Sequence, residues 1–162
     1  MVQQSYFYNS PVGILHIKAV PDFITAILFT SPVLQENPIN LFPIVTQCIK
    51  QLDDYFVGTS FTFDLPLQQN GTVFQQKVWQ QLLTIPFGRT ISYLQLSKQL
   101  GDVKAIRAAA TANGKNSISI VTPCHRVIGS NGSLVGYAGE LWRKRWLLAH
   151  EAKFAAGVQT LF

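Results

Sequence analysis

The residues best suited to chemistry are Pro123-Cys124-His125-Arg126. A thiolate, not a thiol, is the nucleophile, and an ordinary cysteine titrates near ~8.5, so a neighbouring imidazolium or guanidinium favours the reactive form. In a straight strand His125 would point away from Cys124, because successive side chains alternate sides. Pro123 restricts the backbone and makes a tight turn plausible, which lets a bend or a bridging water join the two groups. A third group is needed to orient the imidazole, and the carboxylates of this half of the chain are Asp102, Glu140 and Glu151. Asp102 suits a helix cap, and Glu140 at the start of the last helix suits the helix dipole. Glu151 sits at the end that the dipole disfavours, so another interaction must retain it, and it is taken as the partner of His125. The other cysteine, Cys48, lies on a helix without a nearby base and reads as a small buried hydrophobe. Both thiols are expected to be free. A cysteine hydrolase or a thiol redox enzyme remains an alternative, but it needs a deacylating water or a resolving thiol, and the sequence offers no CxxC.

The chain that must position these groups has 162 residues, with 48% hydrophobic, 12% aromatic and 13% charged, a folded composition and not a disordered one. Its length allows one domain or two small ones. No window is apolar and long enough to span a bilayer, and the opening MVQQSYFYNS has no charged segment followed by an apolar one. A cytoplasmic protein is expected, with no membrane partner. Charge is unevenly spread: residues 1–70 carry two Lys/Arg against five Asp/Glu, net −3, and residues 71–162 carry eleven against three, net +8. A basic half favours a polyanionic partner, nucleic acid first, because neutralising phosphates releases condensed counterions.

Residues 1–70 read as one unit. Tyr6–Tyr8, Ile14–Val20 and Phe23–Thr30 are rich in β-branched and aromatic residues separated by turn formers, which predicts two or three antiparallel strands. Leu41, Ile44, Val45, Ile49, Leu52 and Phe56 follow helical spacing, with Gly58 as a stop. Phe61–Leu67 alternates apolar and polar residues, and the polar stretch Gln68–Thr72 marks the boundary.

Residues 71–162 read as helices with one buried extended segment, Ile118–Val121, leading into the cysteine. A helix spans Phe74–Leu83. Ser92 and Gln95 make a capping box that opens a short helix through Leu100. Asp102 caps a second short helix, Val103–Asn113, and the pair with its glycine-containing turn matches a helix-turn-helix. That second helix combines small residues, among them Ala105 and Ala108, with Lys104 and Arg107, so its backbone can approach DNA closely. The last helix, Glu140–Ala152, is expected to hold Trp142, Trp146 and Leu147 inward, with Arg143, Lys144 and Arg145 around the rest.

Together, FQQKVWQQLLTIPFGRTISY, the alanine-rich helix with Arg107, Asn116, PCHRVIGSNGSLVGYAG and WLLAHE resemble the O6-alkylguanine-DNA alkyltransferase family over Phe74–Glu151. The resemblance implies an α+β architecture. A small RNase H-like antiparallel-sheet and helix domain, 1–70, precedes a helical, winged-helix-like domain, 71–162, which carries DNA binding and alkyl transfer. It implies minor-groove binding to alkylated double-stranded DNA through the helix-turn-helix with Ser92, Tyr93, Lys104, Ala105 and Ala108, and rotation of the damaged nucleotide out of the stack. Arg107 then fills the gap, Tyr93 rotates and protonates the base, and Cys124 takes the alkyl group in one irreversible displacement. His125 acts as base through water, held by Glu151, while Asn116 braces the cysteine turn. The pocket is completed by Cys124 and Val127 backbone, Tyr137 and the amide of Ala138. Substrates are O6-alkylguanine and, as an open extension, O4-alkylthymine. The protein is expected to be monomeric in solution, with cooperativity on DNA left open. No cofactor and no metal are expected, since Cys48 stands alone and a structural zinc needs about four ligands. Many members carry two glycines after the pocket tyrosine where this chain has Gly139-Glu140. An alkyltransferase-like protein that only flags lesions is the remaining alternative; those relatives lack the acceptor cysteine.

Overall fold

The computed structural model describes residues 2–160 apart from Leu34, Val135, Gly136 and Ala138. β1 (Gln4–Ser10), β2 (Gly13–Val20) and β3 (Phe23–Thr30) form an antiparallel meander in that order. Period-two patterning puts Leu15, Ile17 and Ala19 of β2 on the buried face beside Ile24 and Ile27 of β3. Helix α1 (Pro43–Val57) supplies Ile44, Val45, Cys48, Leu52 and Tyr55 to the same core, each large side chain worth about 1.5–3 kcal/mol on full burial. It ends at Gly58, whose φ of 84° lets its N–H reach the Asp54 and Tyr55 carbonyls. The alternating stretch Phe61–Leu67 builds no ladder of its own among the described residues; Leu67 makes a single bridge to Ile24.

This first compact unit also takes in Ser117–Ser119. The Ile27 N–H donates to the Ser117 carbonyl and the Ser119 N–H to the Ile27 carbonyl, both at 2.9 Å. Gln69 Oε1 accepts from the Ser117 N–H at 2.5 Å and from its hydroxyl at 2.9 Å. The segment expected as a buried extended run is therefore a three-residue addition to β3, and the chain turns immediately after it at Ile120, φ 72°. A β-branched residue in the left-handed region costs about 1–2 kcal/mol, so this turn is imposed by its surroundings.

The second unit comprises residues 70–116 and 120–162. α2 (Val73–Leu82) starts one residue earlier than its apolar pattern suggests because Thr72 and Gln75 close a capping box. β4 (Ile91–Ser92) leads into α3 (Tyr93–Gln99), opened by the expected Ser92/Gln95 box. Asp102 does act as a cap, but its carboxylate reaches only the Lys104 N–H, 2.9 Å, and so tightens Val103–Ala105 into a 3₁₀ turn. The predicted single helix is thereby divided, and α4 runs Ile106–Gly114. Ala109 and Ala112 are buried, with the Trp79 indole N–H donating to the Ala112 carbonyl at 2.9 Å, while Lys104, Arg107 and Ala108 are exposed.

α5 extends over Leu141–Thr160, longer than expected, and two of its assigned sides are reversed. Lys144 is fully buried, whereas Trp142 is 45% exposed. Trp142 finds polar partners at the surface: its indole N–H donates to Glu140 at 2.9 Å and Arg143 lies 4.7 Å over its ring. Among the described residues no helix is long and apolar enough to cross a membrane.

Candidate active site

Cys124, His125 and Arg126 form one 3₁₀ turn after Pro123, so the tight bend expected from proline is present in place of a strand. β5 (Val127–Ile128) leaves that turn and pairs in parallel with β4, Ile91 opposite Val127 and Ser92 opposite Ile128. This pairing fixes the start of α3, and hence Tyr93, to the cysteine turn.

The sulfur is 5% exposed by residue and accepts a hydrogen bond from Asn116 Nδ2 at 3.2 Å. The same nitrogen donates to the Thr122 carbonyl at 2.9 Å, so Asn116 braces the turn and touches the thiol at once. Behind the turn, His125 Nε2 lies 2.6 Å from Glu151 Oε2, and both side chains are buried. Arg126 bonds the same carboxylate through Nε at 2.8 Å and Nη2 at 3.1 Å, and its Nη1 donates to the Ile85 carbonyl at 2.7 Å. The Gly88 N–H also donates to Glu151 Oε1, at 3.5 Å; a Cβ on Gly88 would come within 2.5 Å of Ala155, and φ there is 78°. Glycine is required at that approach.

Burial alone would raise the Glu151 carboxyl, but His125 and Arg126 together hold it well below the usual carboxylate range. Burial pushes the His125 imidazole down, Arg126 and Lys144 push the same way, and Glu151 opposes them without prevailing. The imidazole is therefore neutral. With Nε2 given to Glu151, Nδ1 is its basic nitrogen, and it has no protein partner among the described residues.

This overturns one expectation: no imidazolium or guanidinium lowers the thiol. Burial raises Cys124 above its ordinary value, opposed by the Asn116 bond, by Lys144 and by the N–H groups of Cys124 and His125. Arg126 is committed to Glu151, and the cation that acts on the sulfur is Lys144. Its ammonium donates to the Val127 carbonyl at 2.7 Å and stands 5.9 Å over the Tyr93 ring. Burial brings Lys144 down to about 8, with Cys124 pulling the other way. Burial, then Cys124, raises the Tyr93 phenol, against a hydrogen bond from Asn113. Tyr93 is consequently a proton donor at neutral pH.

The structure thus brings Cys124, His125, Glu151, Asn116 and Tyr93 into one unit together with buried Val127 and Tyr137. Ala138 lies outside the described residues. Ser92 opens α3, and Lys104, Ala105, Arg107 and Ala108 occupy the 3₁₀ turn and first turn of α4. Lys144 and Asn113 were not singled out in the sequence. Lys144, Leu147 and Glu151 are spaced i, i+3 and i+7, one helical face, so placing Glu151 inward already implied an inward Lys144. Among the described residues no group of three His, Cys, Asp or Glu could hold a metal ion.

Two family models match. The 6-O-methylguanine DNA methyltransferase ribonuclease-like domain covers residues 5–69 and the DNA binding domain of the same family covers residues 73–153. The chain belongs to the 6-O-methylguanine DNA methyltransferase family. Within it, the chain is 40% identical over 157 residues to a methylated-DNA–protein-cysteine methyltransferase of Mycobacterium bovis, covering 95% of each chain. A relative of that name from Shigella flexneri is 54% identical over 102 residues, 62% of this chain and 60% of that one. Among solved structures, the Mycobacterium tuberculosis O6-methylguanine methyltransferase superposes with a TM-score of 0.84 at 37% identity, covering 94% of both chains. A Mycobacterium tuberculosis OGT in complex with DNA gives 0.82 at 40% identity over 91% and 92%. The fold is accordingly the family's α+β arrangement, a three-stranded antiparallel sheet with its helix followed by a helical DNA-binding part.

Proposed function

We propose that this family member repairs DNA by direct reversal, moving the alkyl group of O6-alkylguanine onto Cys124. The observation that carries the reading is the cysteine turn itself: a shielded thiol bonded by Asn116, followed by an imidazole whose distal nitrogen is pinned to Glu151. Neutral His125, with Nδ1 as its lone-pair nitrogen, takes the thiol proton through a bridging water. The sulfur displaces the alkyl carbon: the S–C bond forms, the C–O6 bond breaks, and the electron pair passes to the base, which accepts a proton from Tyr93. A thioether is not hydrolysed under these conditions, so each molecule acts once.

The exposed Arg107, Lys104 and Ala108 and the half-buried Ala105, with Ser92 and Tyr93 at the start of α3, are the proposed minor-groove contacts. Arg107 occupies the space of the extruded nucleotide, whose unstacking costs a few kcal/mol and least for a damaged base. Val127 backbone, Tyr137 and the amide of Ala138 complete the pocket. In this reading residues 1–70 and 71–162 are the two domains, supported by the compact units and by the family models. The protein acts as a cytoplasmic monomer on double-stranded DNA.

Incubation with an O6-methylguanine duplex should raise the intact mass by one methyl group, located by peptide mapping on the Cys124 peptide. A verified lesion duplex that yields no adduct removes the transferase reading.

A further inference from the structure

The segment between β5 and α5 leaves and returns beside the thiol. It starts after Val127 and Ile128, and it ends at Glu140, whose carbonyl accepts the Lys144 N–H at 3.3 Å. The two ends are joined directly, because the Lys144 ammonium donates to the Val127 carbonyl at 2.7 Å. Within the segment Tyr137 and Gly139 are buried, so this part is packed against its own unit.

The last residue of the segment is strained. Glu140 has φ 74°, one of two non-glycine residues in the left-handed region among the described residues, and such a conformation persists only where its surroundings over-determine it. The Glu140 N–H donates to the Tyr137 carbonyl at 3.3 Å. Its Oε2 accepts the Trp142 indole N–H at 2.9 Å and lies 3.8 Å from Arg143 Nη1. That arginine nitrogen also donates to the Gly139 carbonyl at 3.1 Å, and the guanidinium stands 4.7 Å over the Trp142 ring. An exposed ion pair does little alone, but here the indole bond, the ring contact and the carboxylate's place at the start of α5 act with it. A glycine would hold the same φ without strain and supply none of these side-chain bonds, so the clamp is what Glu140 contributes.

Resting on the alkyl-transfer reading above, we propose that Glu140, clamped by Trp142 and Arg143, is a specificity-determining residue that fixes the rim carrying Tyr137 and makes the site favour small alkyl groups over bulky ones. Replacing methyl by benzyl adds a phenyl ring to the carbon under attack, and a close-packed interior admits a ring only by displacing atoms already there. A rim free to move gives way to the ring, and a clamped one resists it.

Single-turnover rate constants on duplexes containing O6-methylguanine or O6-benzylguanine give a benzyl-to-methyl ratio, and comparing that ratio between proteins cancels the intrinsic reactivity of a benzylic carbon. Glu140→Gly should raise the ratio about fivefold or more, chiefly through the benzyl rate constant, and it relieves backbone strain, so the variant folds. Trp142→Phe keeps a ring, removes the N–H and should shift the ratio the same way. Glu140→Gln keeps an acceptor for the indole and should stay within about twofold of wild type. An unchanged ratio in Glu140→Gly, an equal shift in Glu140→Gln, or equal changes on both substrates overturns the proposal. Amide hydrogen exchange reads the clamp without chemistry: the backbone amide at position 140 should exchange about tenfold faster in Glu140→Gly, and equal exchange also overturns it. No wild-type adduct on either duplex, beside that difference in exchange, would sink the transfer reading and leave the clamp standing.

Discussion

His125 Nε2 and Glu151 Oε2 approach to 2.6 Å with both side chains shielded from water, and the same carboxylate accepts two guanidinium bonds from Arg126. One buried anion therefore serves two purposes. It fixes the tautomer of the imidazole, and it neutralises an arginine that ties the cysteine turn to the Ile85 carbonyl.

Replacing that anion should damage both. Glu151→Gln leaves an uncompensated buried arginine, which typically costs about 3–5 kcal/mol, read as a lower urea midpoint at unchanged slope. The transfer rate constant should fall about a hundredfold, the scale of a lost general base. Wild-type stability together with a wild-type rate would show that the pair is ornamental.

The same cluster sets the acid side of the stability curve. Glu151 is held below its ordinary 4.5 and His125 below its ordinary 6.5, so in each case the unfolded chain binds protons that the native protein refuses. Their contribution is complete above pH 6.5, begins to drop as His125 protonates in the unfolded state, and drops further below 4.5 as Glu151 does. Denaturant midpoints measured from pH 8 to pH 3 should fall in two stages, and Glu151→Gln should lose the lower one. A flat profile across that range would contradict the buried neutral imidazole.

Lys144 is the cation that favours the Cys124 thiolate, and it loses its proton near pH 8. Lys144→Met keeps the apolar stem and removes the charge, so the midpoint for Cys124 alkylation by iodoacetamide should move to higher pH and transfer at neutral pH should slow. Stability should change by no more than about 1–3 kcal/mol, since a lost bond to the Val127 carbonyl is offset by relief of a buried charge. Coincident pH profiles for the two proteins would remove Lys144 from the site's electrostatics.

Arg107 is exposed on the first turn of α4 and free to enter a groove. Arg107→Ala should weaken duplex binding about tenfold and flatten the dependence of affinity on salt, measured by titration at two ionic strengths. Identical affinity and repair rate would place the inserted side chain elsewhere.

Much of this protein was legible locally. The Ser92/Gln95 box, the Gly58 stop, the helical face of α1 and the turn at Pro123 all depend on residues within a few positions of one another, where propensity and capping act. Glu151 could be picked out because a carboxylate at a helix end against the dipole demands a reason. The division of the α4 region by Asp102 depended on how far one short side chain reaches. The outward Trp142 depended on surface partners at Glu140 and Arg143 that the hydrophobic pattern does not encode. What only the tertiary structure decided was protonation. The sequence pairs Cys124 with His125 and Arg126, which suggests a thiol lowered by neighbouring cations. Folding instead gives the arginine to Glu151, leaves the imidazole neutral and brings Lys144 from a distant helix to the sulfur. Desolvation depends on every group packed around a site, and no short stretch of sequence carries that sum.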